Sequence, residues 1–292
     1  MTDRQAVIKD ERKGPLVLAL DTSTAALAAA VVRGTETLGS LQTMAERNHS
    51  VQTVPQIKAL LEACGVAPEA LDGLAIGRGP GSYTGMRIAV SVGKTLAWVW
   101  DKPLVGVSSL EALAYGAMRE TETADASEMA GGLSGTDWFV PLMDARRGQV
   151  YTAAFASRAG GKGWTRMEND GVRLMKDWVE RLNELRRETL RSGESPERLW
   201  IVGDLSLHET EATRLQALCE AEAAAAGGQG TEVRLFPSVM DGRAVAALGA
   251  QRLSRGESDD AHAFVPNYTQ LVEAEVKLLA KQAEQLREAG GE

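Results

Sequence analysis

The sequence predicts an α/β protein built as two similar lobes. Short apolar runs, of the kind buried on both faces of a sheet, alternate with segments of helical periodicity. Each half opens on two such runs joined by a tight turn, then continues as alternating helix and strand. The length of 292 residues suits about two domains, each large enough for a substantial core.

LVLALD (Leu16 to Asp21) is nearly all apolar and reads as a buried strand. TSTA turns the chain into ALAAAVVRG, a second strand ending at Gly34, and TETLGSLQT reads as a third. In HSVQTVPQIKALLEACG, Val54, Ile57, Leu61 and Cys64 fall on one helical stripe that Gly65 closes. Pro55 sits in the first turns, where a helix tolerates it or bends. LDGLAIGRG is the next buried strand, Tyr83 to Trp100 a helix, and PLVGVSS with LEALAYGAMRE repeats the pair.

The acidic, small-residue stretch TETADASEMAGGLSGT (121–136) reads as a flexible connection between an N-terminal lobe (14–120) and a C-terminal lobe (137–267). The second lobe reads as a hairpin centred on Arg146-Arg147-Gly148, then helix, strand, helix, strand and helix. Residues 221–231 read as a loose insertion, and 1–13 as a disordered tail without a signal peptide's apolar stretch. From 268 to 288, Val272, Val276, Leu279, Ala283 and Leu286 share one face of an amphipathic final helix that joins the first lobe.

Composition narrows the function classes. With 44% hydrophobic and 25% charged residues the chain is of ordinary globular type. A net charge of -8 argues against holding nucleic acid alone through a broad basic face. Two distant cysteines, Cys64 and Cys219, read as reduced thiols of a cytoplasmic protein. Arg87 and Lys94 interrupt the best candidate for a membrane span.

The loop GRGPGSYTGMRI (Gly77 to Ile88) invites a cofactor reading, but its spacing fails the register tests. A dinucleotide fingerprint needs a sixth-position glycine, where Ser82 or Thr84 stands. A triphosphate loop ending at Gly93-Lys94-Thr95 needs glycine where Ile88 stands. A tight strand-to-helix turn and a generic anion site at the helix start both stay open. Beyond it, Gly85, Ala89, Gly93 and Ala97 recur every four residues, a stripe that admits close contact with the chain's own core or with a partner.

Asp21-Thr22-Ser23 can position a metal-bound water or a phosphate, or serve an ordinary turn. Arg146 and Arg147 can meet phosphate or RNA, or form a solvated turn. His49, His208 and His262 have no ligand spacing, and no G-x-S-x-G elbow occurs. No catalytic residue and no metal site emerge.

Together LALDTS (from Leu18), NHS (from Asn48), GRGPGSYTGMRI, PLVGVSSLEALA (from Pro103), DARRGQVY (from Asp144) and PNYTQLVEAE (from Pro266) resemble the TsaB (YeaZ) family across residues 16–275. The resemblance implies an actin-like ATPase (ASKHA) fold of two RNase-H-like lobes, mixed sheets flanked by helices. It implies a subunit for threonylcarbamoyladenosine synthesis on tRNA, related to TsaD, which transfers the threonylcarbamoyl group to the adenosine beside the anticodon. TsaD-like chains carry two metal-binding histidines; here His49 matches the first and Thr53 replaces the second. Asp21, Thr22 and Ser23 match a first phosphate-loop position, degraded by Arg146 and Arg147 opposite.

The chain is therefore expected to be a non-catalytic cytoplasmic scaffold pairing with TsaD and TsaE, or with itself in isolation. It meets tRNA only through the complex and has no membrane contact. It needs no cofactor of its own, ATP and a metal belonging to TsaD and TsaE. The expected interface is Val54, Ile57, Leu61, Gly85, Ala89, Gly93 and Ala97, so that Gly93→Leu should abolish pairing and spare the fold. The rival is an autonomous actin-like nucleotide hydrolase or peptidase-like enzyme; a stand-alone RNA-binding protein conflicts with the acidic balance.

Overall fold

The structure, a computed structural model, describes residues 14–44, 49–128, 135–158, 162–192, 195–225, 227–228 and 230–269. Strands β1 (Leu16–Asp21), β2 (Ala26–Arg33) and β3 (Glu36–Met44) lead into α1 (His49–Ala63), β4 (Gly73–Gly77), α2 (Tyr83–Trp100), β5 (Leu104–Val107) and α3 (Ser109–Glu128). The second half repeats the order. Its strands β6 (Thr136–Asp144), β7 (Gln149–Arg158) and β8 (Lys162–Leu174) lead into α4 (Met175–Arg191), β9 (Arg198–Gly203), α5 (Glu209–Ala225), β10 (Glu232–Pro237) and α6 (Gly242–Ser254).

Each half forms a five-stranded mixed sheet, ordered β3-β2-β1-β4-β5 and β8-β7-β6-β9-β10. In both, the first three strands pair antiparallel and the last two join parallel. This duplicated hairpin-led sheet is the two-lobed, actin-like architecture that the family resemblance implies.

The apolar run of β1 has a plain cause. Leu16, Leu18 and Leu20 face a core under α1 and α2, while Val17 and Ala19 face a second core shared with the other lobe. Both faces are dry, so no polar alternation is left. In the shared core α6 lies on β1, β2 and β4, and α3 lies on β6, β7 and β9. The first sheet offers it small residues, Ala19, Ala28, Ala30 and Ala75; the second offers Phe139, Phe155 and Trp200. Gly242 and Gly249 let α6 settle directly on Ala29 and Ala75.

Several expectations need correction. The flexible connection 121–136 is helical as far as Glu128, with Thr121 buried, and Thr136 already begins β6. Helix-forming Ala and Glu there outweigh a loop-like composition. Residues 221–225, read as a loose insertion, complete α5. Helix α6, placed by chain order in the lobe 137–267, covers the first sheet instead. Strand β8 is not visible in the sequence pattern, because register shifts against β7 break its two-residue period. The tail 1–13 and nearly all of the final helix 268–288 lie outside the described residues.

Candidate functional site

The first hairpin meets the glycine loop at the end of β1. A Cβ on Gly77 would overlap the Asp21 carboxylate, one on Gly81 the Ser23 carbonyl, and one on Gly85 the Thr22 carbonyl. The loop glycines therefore cradle the chain's own Asp-Thr-Ser turn. Thr22 Oγ1 donates to the Gly85 carbonyl (2.6 Å) and accepts the Ala89 N–H (3.1 Å), bridging one turn of α2. The Ser82 N–H donates to the Ser23 carbonyl (2.7 Å), and Ser82 Oγ caps α2 by accepting the Gly85 N–H.

Asp21 is wholly buried. Its Oδ1 accepts the Ser23 N–H and its Oδ2 the Ser109 hydroxyl, each at 2.6 Å. Ser109 Oγ in turn accepts the Gly79 N–H (2.9 Å), tying the glycine loop to the same knot. Burial pushes the Asp21 carboxyl above its ordinary range, against the opposing pull of the Ser109 and Ser23 hydrogen bonds.

The second hairpin is open by contrast. Arg146 and Arg147 are exposed and take left-handed backbone (φ 65° and 55°), followed by Gly148 (φ 72°). Asp144 Oδ1 accepts the Arg146 N–H (3.1 Å) and lies 3.1 Å from Nε2 of the buried His208.

Between the hairpins lies a cleft of 1180 Å³ at the carboxyl ends of β1, β6, β9 and β10, with the start of α2 on one wall. Asp144, Asp204 and Glu209 face it against one guanidinium, Arg146. Ser23 and Ser238 stand among its lining residues, with their hydroxyl oxygens buried beneath its surface.

A nucleotide, which an actin-like ATPase fold implies, does not fit these residues. The N–H groups of Ser23, Ala26, Ala145, Arg146 and Gln149 are satisfied internally and are not offered to phosphate. Both Asp21 oxygens and the Thr22 hydroxyl are also engaged, and the remaining carboxylates repel polyphosphate. Among the described residues no group of three or more His, Cys, Asp or Glu is placed to hold a metal ion. A smaller cavity of 610 Å³ includes Arg78, Arg166 and Arg252, but ion pairs hold Arg166 to Glu111 and Arg252 to Glu257, each at 2.8 Å.

A TsaB protein of Bacillus subtilis, described as a tRNA threonylcarbamoyladenosine biosynthesis protein, is 34% identical over 266 residues, 91% of this chain and 99% of its own. The chain belongs to the TsaB family. The Escherichia coli TsaB protein is 30% identical over 177 residues, 61% of this chain and 70% of its own. A family model described as TsaD, tRNA N6-adenosine threonylcarbamoyltransferase, matches residues 35–166. YeaZ from Pseudomonas aeruginosa, at 22% identity, shares the fold with a TM-score of 0.59 over 87% of this chain and 99% of its own.

Within this TsaB-family fold, most of the expected interface turns inward. Gly85, Ala89, Gly93 and Ala97 press α2 onto its own sheet, and Ile57 and Leu61 are buried in the same core. A Cβ on Gly93 would lie 2.5 Å from Ile76, so Gly93→Leu attacks the fold and cannot test pairing. The small-residue stripe serves helix-on-sheet packing, because the chain's own Ile76 fills the space a partner would need. Of the expected interface residues only Val54 is exposed. The Asp144–His208 pair and the Ser109 knot have no signature in the sequence. Ser109 stands in the PLVGVSS motif, but nothing in its spacing points to Asp21, 88 positions away.

Proposed function

We propose that this chain works in tRNA threonylcarbamoyladenosine biosynthesis as a non-catalytic subunit that pairs with TsaD and supports TsaE. The observation that carries this reading is the outward side of α1 and α2. Val51 (74% exposed), Val54 (51%), Trp98 (70%) and Val99 (62%) are large apolar side chains held in water. They lie on the two helices that the family resemblance assigns to pairing, and TsaB names on the relatives support the pathway. In this reading ATP and metal belong to TsaD and TsaE, tRNA is met through the complex, and a second copy takes the same face when TsaD is missing. The working compartment is the cytoplasm; among the described residues no helix is long and apolar enough to cross a membrane.

Reconstitution tests it. TsaD, TsaE, threonylcarbamoyl-adenylate and tRNA are combined with and without this chain, and the modified adenosine is quantified. Equal yields in both arms would sink the subunit reading. Trp98→Asp is expected to lose co-purification with TsaD and modification together, with an unchanged urea midpoint, since Trp98 is exposed.

A further inference from the structure

We propose that the turn of the second hairpin, Arg146-Arg147-Gly148, is a phosphate contact through which this chain holds a single-stranded stretch of tRNA inside the modification complex. The contact rests on the role in tRNA modification proposed above. Stability does not explain the two arginines. The Gln149 N–H donates to the Arg146 carbonyl (2.9 Å) across Arg147 and Gly148, both at positive φ, which is a turn of the I′ kind. Its first central position suits asparagine or glycine, and Arg146 before it is left-handed as well (φ 65°). Arginine at both places is poorly matched to the backbone, so the guanidinium groups themselves are what the turn presents.

Both arginines are exposed, and neither guanidinium has a hydrogen-bond or ion-pair partner among the described residues. The neighbouring Asp144 turns Oδ1 to the Arg146 main-chain N–H and to His208 instead. From Ala145 to Gln149 the turn carries no large apolar side chain. Charge without an apolar anchor is the pattern of a backbone phosphate contact; a protein hot spot buries such an anchor.

The opposite lip of the cleft carries aromatic surface. Tyr83, on that wall, is 49% exposed and packs against Tyr268, 47% exposed, with ring centroids 5.5 Å apart. The Arg87 guanidinium lies 5.3 Å over the Tyr83 ring and has no carboxylate partner among the described residues. Exposed rings beside an unpaired guanidinium give unstacked bases a surface to lie on, which a duplex, with its bases stacked inside, cannot use. Asp144, Asp204 and Glu209 line the space between and turn phosphate away from the interior, so the RNA backbone crosses at the lip.

The complex reconstituted from the full chain, TsaD, TsaE, threonylcarbamoyl-adenylate and tRNA tests this with two variants, Arg146→Gln with Arg147→Asn, and Tyr83→Ala. All three positions are exposed, and thermal midpoints at or above the parent value are expected. The arginine variant should raise KM for tRNA roughly tenfold at unchanged kcat, and lower the log–log salt slope by about 1.4, two single-strand phosphate contacts. Tyr83→Ala should raise KM roughly fivefold or more and leave the salt slope as it was. Parent KM and slope in the arginine variant would overturn the phosphate contact. The subunit reading would still stand, since it fails only if leaving out the chain leaves the yield unchanged. Lost co-purification with TsaD or TsaE at parent KM for tRNA would assign the turn to a protein partner and overturn the proposal as well. Parent KM in Tyr83→Ala would overturn the single-stranded assignment.

Discussion

Asp21 to Ala25 and Asp144 to Gly148 are the leading hairpin turns of the two lobes, at equivalent places in a repeated fold. The first is sewn into α2 through Thr22 and the Ser109 knot. The second stands at the cleft rim with two arginines in left-handed backbone. The difference lies in the segment just after the fourth strand of each lobe. After β4 come Gly81 and Gly85, so the loop and the start of α2 can close on the Ser23 and Thr22 carbonyls with nothing between. β9 ends on Gly203, whose Cβ position is taken by the Leu142 carbonyl of β6 and not by the hairpin turn. Whether a hairpin in this fold is locked or free is decided by glycines on a different segment.

The comparison can be broken at its strongest point first. Gly85→Val should drive a methyl into the Thr22 carbonyl and cost about 3 kcal/mol or more, read as a collapsed urea midpoint. Near-parent stability would show that the first hairpin is not locked by close approach. Thr22→Val keeps the shape but removes the hydroxyl that bonds the Gly85 carbonyl and the Ala89 amide, for an expected loss of about 1 kcal/mol.

Asp21 sharpens the contrast through pH. Its folded pKa is raised, so the native state binds the proton more tightly than the unfolded chain, and ionisation works against folding. That contribution is full below the ordinary value of 3.8 and is lost as pH rises toward the folded pKa. Urea midpoints of the parent should therefore fall relative to Asp21→Asn as pH increases from 4, and parallel profiles would contradict the burial argument.

The second hairpin should respond mildly and in the other direction. Arg147→Asn relieves left-handed strain and is expected to stabilise by up to about 1 kcal/mol in thermal unfolding. Arg146→Ala should shift stability by no more than about 0.5 kcal/mol, the guanidinium being exposed.

Much of the architecture was legible from local pattern. The doubly buried run at Leu16–Asp21, the helical stripe of α1 and the repeated hairpin-led halves all derive from which side chains must leave water. The failed glycine registers argued against a dinucleotide or triphosphate loop, because backbone geometry near phosphate depends on spacing along the chain. Strand β8 stayed hidden because its bulges exist only against β7.

What only the tertiary structure decided is who touches whom across the chain. The four-residue recurrence of Gly85, Ala89, Gly93 and Ala97 established that α2 has a face without bulk; that Ile76 rather than a partner fills it is a matter of packing. The exchange of α3 and α6 between sheets arises from small side chains on one sheet and aromatic ones on the other, a complementarity that periodicity cannot express. The glycines of GRGPGSYTG announced a close approach, since a missing Cβ matters only where another atom takes its place. That the atoms belong to Asp21, Thr22 and Ser23, some 55 to 65 positions earlier, is set by the parallel pairing of β1 with β4.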